Sequence, residues 1–403
     1  MALGLELLLC AAALALLIPV TVLAAELLLS LRYDEKSALH ESGERRRLAI
    51  LMPAHDEELI IASTLRSVIP QLAPNDRVLV VADNCSDRTA TIAAQEGADV
   101  IERSDRLRRG KGYALDFGVR HLEVDPRGPP DIVIIIDADC RVGESAIDRL
   151  ARMCARTMRP VQALYLMHGE DGNAGIKMRI AEFAWAIKNK VRPLGLRRLG
   201  LSCQLMGTGM AFPWSRISTA SLASGHIVED LKLGVDLALA GSAPLFCPGA
   251  LVTSTFPSSE QGVAGQRMRW EHGYLGVIVA ETAHLLALSF RTLNGALLAF
   301  ALDLSVPPIA LLVSLLTFVW LSSAAFYFFV HVRLPIVICT FEILFLALGI
   351  VLAWRKYGRH IVSLDDLARA GIYVLWKVPL YAKFFGRRQS EWVRSKRDKD
   401  LHP

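Results

Sequence analysis

Ten residues constrain this chain more than any other stretch: Asp131-Ile132-Val133-Ile134-Ile135-Ile136-Asp137-Ala138-Asp139-Cys140. An unbroken β-branched run this short reads as a strand buried on both faces of a parallel sheet. It ends in two carboxylates one residue apart, at the carboxyl edge where open α/β sheets bind their ligands. Alternating carboxylates separated by a small residue can reach a hard divalent cation, which prefers oxygen ligands and keeps positions open for phosphate oxygens. An Asp137 that merely caps the following helix explains the same residues. The rest of the chain has to decide between them.

The flanking segments alternate between strand and helix patterns. Leu48 to Pro53 is a short strand that runs into Pro53-Ala54-His55-Asp56-Glu57-Glu58, after which Leu59, Ile60, Ala62, Leu65, Val68 and Ile69 recur at helical spacing. Arg77 to Ala82 is a second strand, and it ends in the polar turn Asp83-Asn84-Cys85-Ser86-Asp87-Arg88-Thr89, with Ser86 or Asp87 as helix N-cap. A third strand, Ala98 to Ile101, precedes the basic turn Arg108-Arg109-Gly110-Lys111-Gly112 and another helix. Beyond Asp139 come a strand over Val161 to Met167 and an amphipathic helix over Ile176 to Lys190. The turn Gly207-Thr208-Gly209 follows, then a helix opened by Val228-Glu229-Asp230 and a strand over Ala243 to Thr253. Such alternation predicts a doubly wound, mostly parallel α/β sheet whose strand ends carry the polar residues.

Composition adds a second kind of segment. Hydrophobic residues make up 53% of the 403 and mean hydropathy is +0.36, more than a soluble domain needs, with the excess at the two ends. Leu3 to Leu31 exceeds the roughly 20 residues that span a bilayer. It lacks the basic start and cleavage site of a signal peptide, so it reads as a retained anchor. Arg32, Lys36 and Arg45-Arg46-Arg47 place the following residues in the cytoplasm by the positive-inside rule. Toward the other end, Ala296 to Leu304 reads as an interfacial lead-in, Val306 to Val330 and Leu334 to Trp354 as spans, and Arg355-Lys356-Tyr357-Gly358-Arg359 as a cytoplasmic cluster, three spans in all. Gly371 to Phe385, with Trp376, Lys377, Tyr381 and Lys383, reads as an interfacial helix ahead of a basic cytoplasmic tail from Arg387. The expected organisation is therefore an anchor (1–31), a basic linker (32–47), a cytoplasmic catalytic domain (48–275), interfacial helices (276–304), two spans (305–354), and an interfacial helix with tail (355–403). The net charge of +5 clusters beside the apolar segments, which fits a membrane surface and not a nucleic acid. The seven cysteines show no metal-ligand spacing and read as reduced thiols.

In order and spacing, the polar motifs resemble those of the family-2 inverting glycosyltransferases, in particular the membrane-bound branch that includes cellulose- and hyaluronan-synthase-like enzymes and ceramide glucosyltransferases. The likeness covers roughly Leu48 to Gly273. It implies a GT-A type nucleotide-sugar-binding domain and a role for each motif. Pro53-Ala54-His55-Asp56-Glu57 resembles the turn that cradles base and ribose, with Pro53, Ala54, His55 and Glu57 as donor contacts. Asp83 heads the turn whose first Asp holds the uracil, while Asp87 and Thr89 fit a structural Asx-turn. Lys111, between two glycines, offers a point charge to a diphosphate. Asp137-Ala138-Asp139 matches the Asp-x-Asp motif. Asp139 is then the ligand of Mg2+ or Mn2+, and Asp137 supports the nucleotide or the metal. Gly207-Thr208-Gly209 matches the turn beneath the acceptor. Glu229-Asp230 matches the Glu-Asp motif, with Asp230 as general base and Glu229 beside it, since an inverting transfer needs a carboxylate opposite the leaving diphosphate. Gln266-Arg267-Met268-Arg269-Trp270 matches Gln-x-x-Arg-Trp, the most specific of the set: Arg269 offers planar donors to the leaving diphosphate, Trp270 a face for a sugar ring, and Gln266 a hydrogen bond to donor or acceptor. His55 and His272 have no partner at metal spacing.

The resemblance implies inverting transfer from a UDP-sugar to a lipid-linked or growing glycan acceptor at the cytoplasmic face of the inner membrane, with membrane lipids around the spans and an oligomer allowed. It places that transfer in exopolysaccharide or cell-envelope glycan synthesis. Three spans are few to enclose a polymer channel, which favours single or limited transfer over a processive synthase. Two readings of another kind are a non-catalytic nucleotide-sugar-binding membrane subunit and a nucleotidyltransferase. Neither needs an acceptor-side base such as Asp230.

Overall fold

The computed structural model describes residues 2–34, 43–169, 175–257 and 260–386. Lys36 and the basic tail from Arg387 lie outside them. The chain forms two compact units, one over Asp34–Glu170 and Ser202–Tyr274 and the other over Met1–Tyr33, Asp171–Leu201 and Leu275–Gln389. Residues 175–201 cluster with the second of these units.

The first unit is built on an eight-stranded sheet. Its strands are β1 (Leu48–Ala54), β2 (Arg77–Asp83), β3 (Asp99–Arg103), β4 (Ile132–Ile135), β5 (Arg141–Val142), β6 (Val161–His168), β7 (Met210–Pro213) and β8 (Leu245–Thr255). They lie in the order β3-β2-β1-β4-β7-β6-β8-β5. Four of the seven junctions are parallel and three antiparallel, so the sheet is mixed, mostly parallel. The opening run is buried on both faces as expected, yet only one of its neighbours is parallel: β4 pairs β1 in parallel and β7 antiparallel, Ile135 opposite Met210. Two backward turns make this possible. Gly207 and Gly209 take φ of +93° and +67°, where side chains are strained, and the Gly209 amide then donates to the Ile135 carbonyl at 2.9 Å. β5 and β7 are too short, at two and four residues, to show a period in sequence.

One face of the sheet, carrying Leu51, Val81, Val133 and Ile135, packs against Leu115, Val119 and Leu122 of the helix Lys111–Val124. Each such side chain removed from water contributes about 1.5–3 kcal/mol. That core holds the carboxyl ends of β1, β2 and β4 in one row, since parallel register puts Pro53 beside Val81 and Leu51 beside Ile135. None of the seven cysteines is joined in a disulfide.

The second unit is helical. Among the described residues four helices are long and apolar enough to cross a membrane: Ala2–Ser30, Met268–Arg291, Ile309–Val330 and Leu334–Gly358. The sequence reading counted three. The additional one lies in the uninterrupted helix Glu260–Arg291, where interfacial helices were expected from residue 276. Its polar first turns, with Arg269, Glu271 and His272, hide the apolar stretch that follows.

A buried ionic cluster ties three elements of this unit together. The Arg192 guanidinium donates through Nε to Glu26 Oε2 at 2.6 Å and through Nη2 to Asp303 Oδ1 at 2.7 Å and the Asp303 carbonyl at 2.8 Å. All three side chains are buried. Removing one member leaves uncompensated charge in an apolar setting, at a cost of about 3–5 kcal/mol. Arg192→Met should therefore unfold far more readily than the wild type in detergent, read as a fall in the midpoint of chemical denaturation. A midpoint within error of the wild type would show that the cluster contributes nothing.

Candidate active site

The row of strand ends opens into a cleft of about 670 Å3. Of the residues expected to hold the donor, Pro53, Ala54, His55, Glu57, Asp83, Lys111, Asp137, Ala138, Asp139, Gln266 and Arg269 all line it. Trp270 and the Gly207-Thr208-Gly209 turn do not. Glu229 and Asp230 line a smaller cavity of about 110 Å3 together with Gly112, Leu222, Ser224 and His226.

The turns after β1 and β2 are sewn to each other. Asp56, in the left-handed region at φ +53°, accepts from the Ser86 amide at 2.7 Å. The Glu57 amide donates to Thr89 Oγ1 at 2.7 Å, and the Glu58 amide to Asp87 Oδ2 at 3.1 Å. His55 Nδ1 lies 2.6 Å from the Asp83 carbonyl. Asp87 also accepts from the Thr89 amide at 2.9 Å, the Asx-turn expected there, and Thr89 is fully buried. Asp56 therefore serves the neighbouring turn and caps no helix. These bonds fix the two strand ends as one wall of the cleft.

Asp83, expected to meet a base, is already engaged: Oδ1 accepts from Arg103 Nη1 at 2.6 Å and from Asn84 Nδ2 at 2.9 Å. Sequence reasoning missed Arg103, Arg106 and Arg109. Arg103 braces Asp83, and Asp105 shapes the turn by accepting from the amides of Leu107 and Arg108, each at 3.0 Å. Arg106 and Arg109 line the cleft, whereas Arg108 is held by Asp105 at 2.9 Å. The clustering of four arginines over residues 103–109, ahead of Gly110, was the available signal.

Cys85 was also passed over. It lines the cleft, and burial pushes its thiol up to about 11. Two units above the ordinary value of 9.0 leaves about 100-fold less thiolate near neutral pH. Alkylation of Cys85 by iodoacetamide, followed by mass spectrometry, should be correspondingly slow at pH 7.5 and should climb about tenfold per pH unit until near 11. A rate that levels off near pH 8.5 would contradict the buried setting.

The carboxylates at the end of β4 are held from several sides. The Asp137 amide donates to Thr208 Oγ1 at 3.0 Å, and Thr64 Oγ1 donates to the Ala138 carbonyl at 2.7 Å. Thr208 is fully buried and its carbonyl accepts from Gln162 Nε2 at 2.9 Å. The Gly-Thr-Gly turn thus supports Asp137 through the buried Thr208, while Gly207 borders Asp230, whose Oδ2 would lie 3.5 Å from a Cβ there.

Lys111 is the hub. Its ammonium donates to the Gly207 carbonyl at 2.7 Å, pairs with Asp137 Oδ1 at 2.5 Å and lies 4.0 Å from Glu229 Oε1. Burial alone would lower the Lys111 ammonium, but Asp137 and Glu229 overcome it and hold it above its usual value. Burial raises Asp137, against the pull of Lys111, and raises Glu229 to about 8. Burial also lowers Arg269, opposed by Glu229; a guanidinium remains charged regardless. A partly dry cleft with opposed charges of this kind acts strongly on any charge that develops inside it.

The donor set suits a hard cation. Asp137, Asp139 and Cys140 each place one ligand atom within 4.8 Å of the others. Burial raises the Cys140 thiol, and the two carboxylates are the hard oxygen donors of this group.

Residues 45–273, more than half of the chain, match the family described as Glycosyltransferase like family 2, and the chain belongs to that family. Its mixed sheet with covering helices is of GT-A type. A probable glycosyltransferase of Bacillus subtilis, YdaM, is 27% identical over 264 residues, covering 59% of this chain and 57% of that protein. The chain thus spans little more than half the length of that relative. The 4,4'-diaponeurosporenoate glycosyltransferase of Staphylococcus aureus is 39% identical over 79 residues, 19% of this chain and 21% of that one. Among solved structures, a mannosyltransferase from Pyrobaculum calidifontis in complex with GDP-Man and Mn2+ is 17% identical, with a TM-score of 0.48 over 85% of this chain and 99% of the other. Glucosyl-3-phosphoglycerate synthase from Mycobacterium tuberculosis, in complex with Mn2+, UDP and phosphoglyceric acid, is 21% identical, with a TM-score of 0.37 over 57% and 78%.

Proposed function

We propose that the protein transfers a sugar from a UDP-sugar to a hydroxyl of a lipid-linked or glycan acceptor, with inversion, at the cytoplasmic face of the inner membrane. One observation carries the reading: the half-buried Lys111 ammonium pairs with Asp137 of the Asp-x-Asp motif in the cleft and lies 4.0 Å from Glu229 of the Glu229-Asp230 pair. Donor-side and acceptor-side chemistry therefore meet at one cation. Asp230 takes the proton of the acceptor hydroxyl, whose oxygen forms the new bond to the anomeric carbon. The bond from that carbon to the β-phosphate oxygen breaks, and its electron pair leaves with UDP. Lys111 and Arg269 stabilise the charge on the leaving diphosphate. Asp139, with Asp137, would hold Mg2+ or Mn2+, which supplies further charge neutralisation there. Pro53, Ala54, His55, Glu57 and Asp83 form the wall for base and ribose, and Trp270 and Gln266 serve the sugars. The four long apolar helices support membrane attachment beside a lipid-borne acceptor.

Screening UDP-sugars for UDP release by the full chain, with Mn2+ and native lipid extract, tests this. One donor should give acceptor-dependent release and a single lipid-extractable product. Release with no donor would overturn the reading, and a ladder of products would establish the processive synthase instead.

A further inference from the structure

The segment leading into Glu229-Asp230 is held by few backbone bonds of its own, from the Leu222 amide to the Ala220 carbonyl at 3.0 Å and from the Ser224 amide to the Leu222 carbonyl at 2.7 Å. From Ser221 to His226 it has no regular secondary structure, and the helix Glu229–Leu239 starts at Val228 without any side-chain cap. Something else must fix where the two carboxylates stand. Two glycines press on this segment. A Cβ on Gly112 would lie 2.5 Å from the Leu222 carbonyl oxygen and 2.8 Å from that of Ser224. A Cβ on Gly273 would lie 2.8 Å and 3.1 Å from the two γ-methyls of Val228. Neither contact leaves room for a methyl group.

The placement of these glycines ties them to the chemistry. Gly112 follows Lys111 directly, and Gly273 stands four residues after Arg269 in the helix Glu260–Arg291, on the same helical face. The two elements that carry the cations of the cleft are thus the two that clamp the carboxylate-bearing segment.

We infer that Gly112 and Gly273 are positioning residues. Their missing side chains let the Lys111 turn and the Arg269 helix close directly on residues 222–228, and this sets Asp230 at its working distance from the donor. The inference rests on the glycosyltransfer reading and names what aligns its base. A shift of about 1 Å in such a group costs on the order of 100-fold in rate.

Gly273→Ala tests it, because Ala is the better helix former and cannot act by weakening the helix. Its kcat should fall about 10- to 100-fold, while UDP affinity and thermal midpoint stay at wild-type values. Val228→Ala clears the γ-methyls, so the Gly273→Ala, Val228→Ala double variant should regain kcat to within about threefold. Gly112→Ala should lose kcat without any such rescue, because it meets backbone oxygens. Wild-type kcat in Gly273→Ala, a loss that Val228→Ala fails to restore, or a parallel fall of kcat, UDP affinity and thermal midpoint would each overturn the inference. Turnover by the wild type in the same assay reports on glycosyltransfer itself, and only the ratios between variants report on the glycines.

Discussion

Asp230→Asn should reduce sugar transfer by about 100- to 10,000-fold, the usual contribution of a positioned general base. The amide keeps the shape of the carboxylate and cannot accept the acceptor's proton. UDP binding should stay within about twofold of wild type, because Asp230 does not line the donor cleft. Steady-state UDP release together with calorimetry on the same preparation separates the two quantities. An active Asp230→Asn protein would remove the base from this site and reopen the reading of a nucleotide-sugar-binding subunit. Glu229 should behave differently: it is half-buried, its carboxyl is raised to about 8, and it lies 4.0 Å from Lys111, so Glu229→Gln should alter the charge around the hub and leave the base in place.

Asp139→Ala should fail at the other end of the reaction. Residues that merely orient a metal ligand change affinity by 10- to 100-fold when removed, so loss of a ligand itself should cost at least about 100-fold in the Mn2+-dependent part of UDP affinity. In calorimetry the wild type should bind UDP much more tightly with Mn2+ than with a chelator, and the variant should bind equally weakly in both. If wild-type affinity does not respond to Mn2+, the Asp-x-Asp pair is not a metal site and its carboxylates serve Lys111 alone. Asp137 is a poorer choice for this test, because Lys111 pairs with it and the substitution would also release the hub.

The strands and the cleft lining were largely legible in the sequence. Strand ends could be read because a buried parallel strand needs a continuous apolar run, and such a run stops where polar residues begin; the strands around Leu48, Arg77, Asp99, Val161 and Leu245 therefore lie close to their expected places. The motifs expected to face a donor line one cleft because parallel strands put their carboxyl ends on one edge. The antiparallel β7 could not be read, since four residues show no period and its direction depends on the turn at Gly207 and Gly209. Nor could the role of that turn. A tight Gly-Thr-Gly reads the same in sequence whether or not its threonine accepts from the Asp137 amide, as Thr208 does here.

The sequence by itself determined the α/β class, the row of polar strand ends and the identity of the chemical groups, because periodicity and residue type report burial and chemistry locally. Tertiary structure alone decided which groups meet. Lys111 and Asp137 are 26 positions apart in the chain, yet one ammonium joins Asp137, the Gly207 carbonyl and, at 4.0 Å, Glu229. It also decided that Arg192 closes on Glu26 and Asp303, and that Gly112 and Gly273 close on the segment before Asp230. The reason is physical. Close packing acts between residues distant in the chain, and a glycine selected for the space it leaves, or a charge selected for a partner far away, carries no local pattern to read.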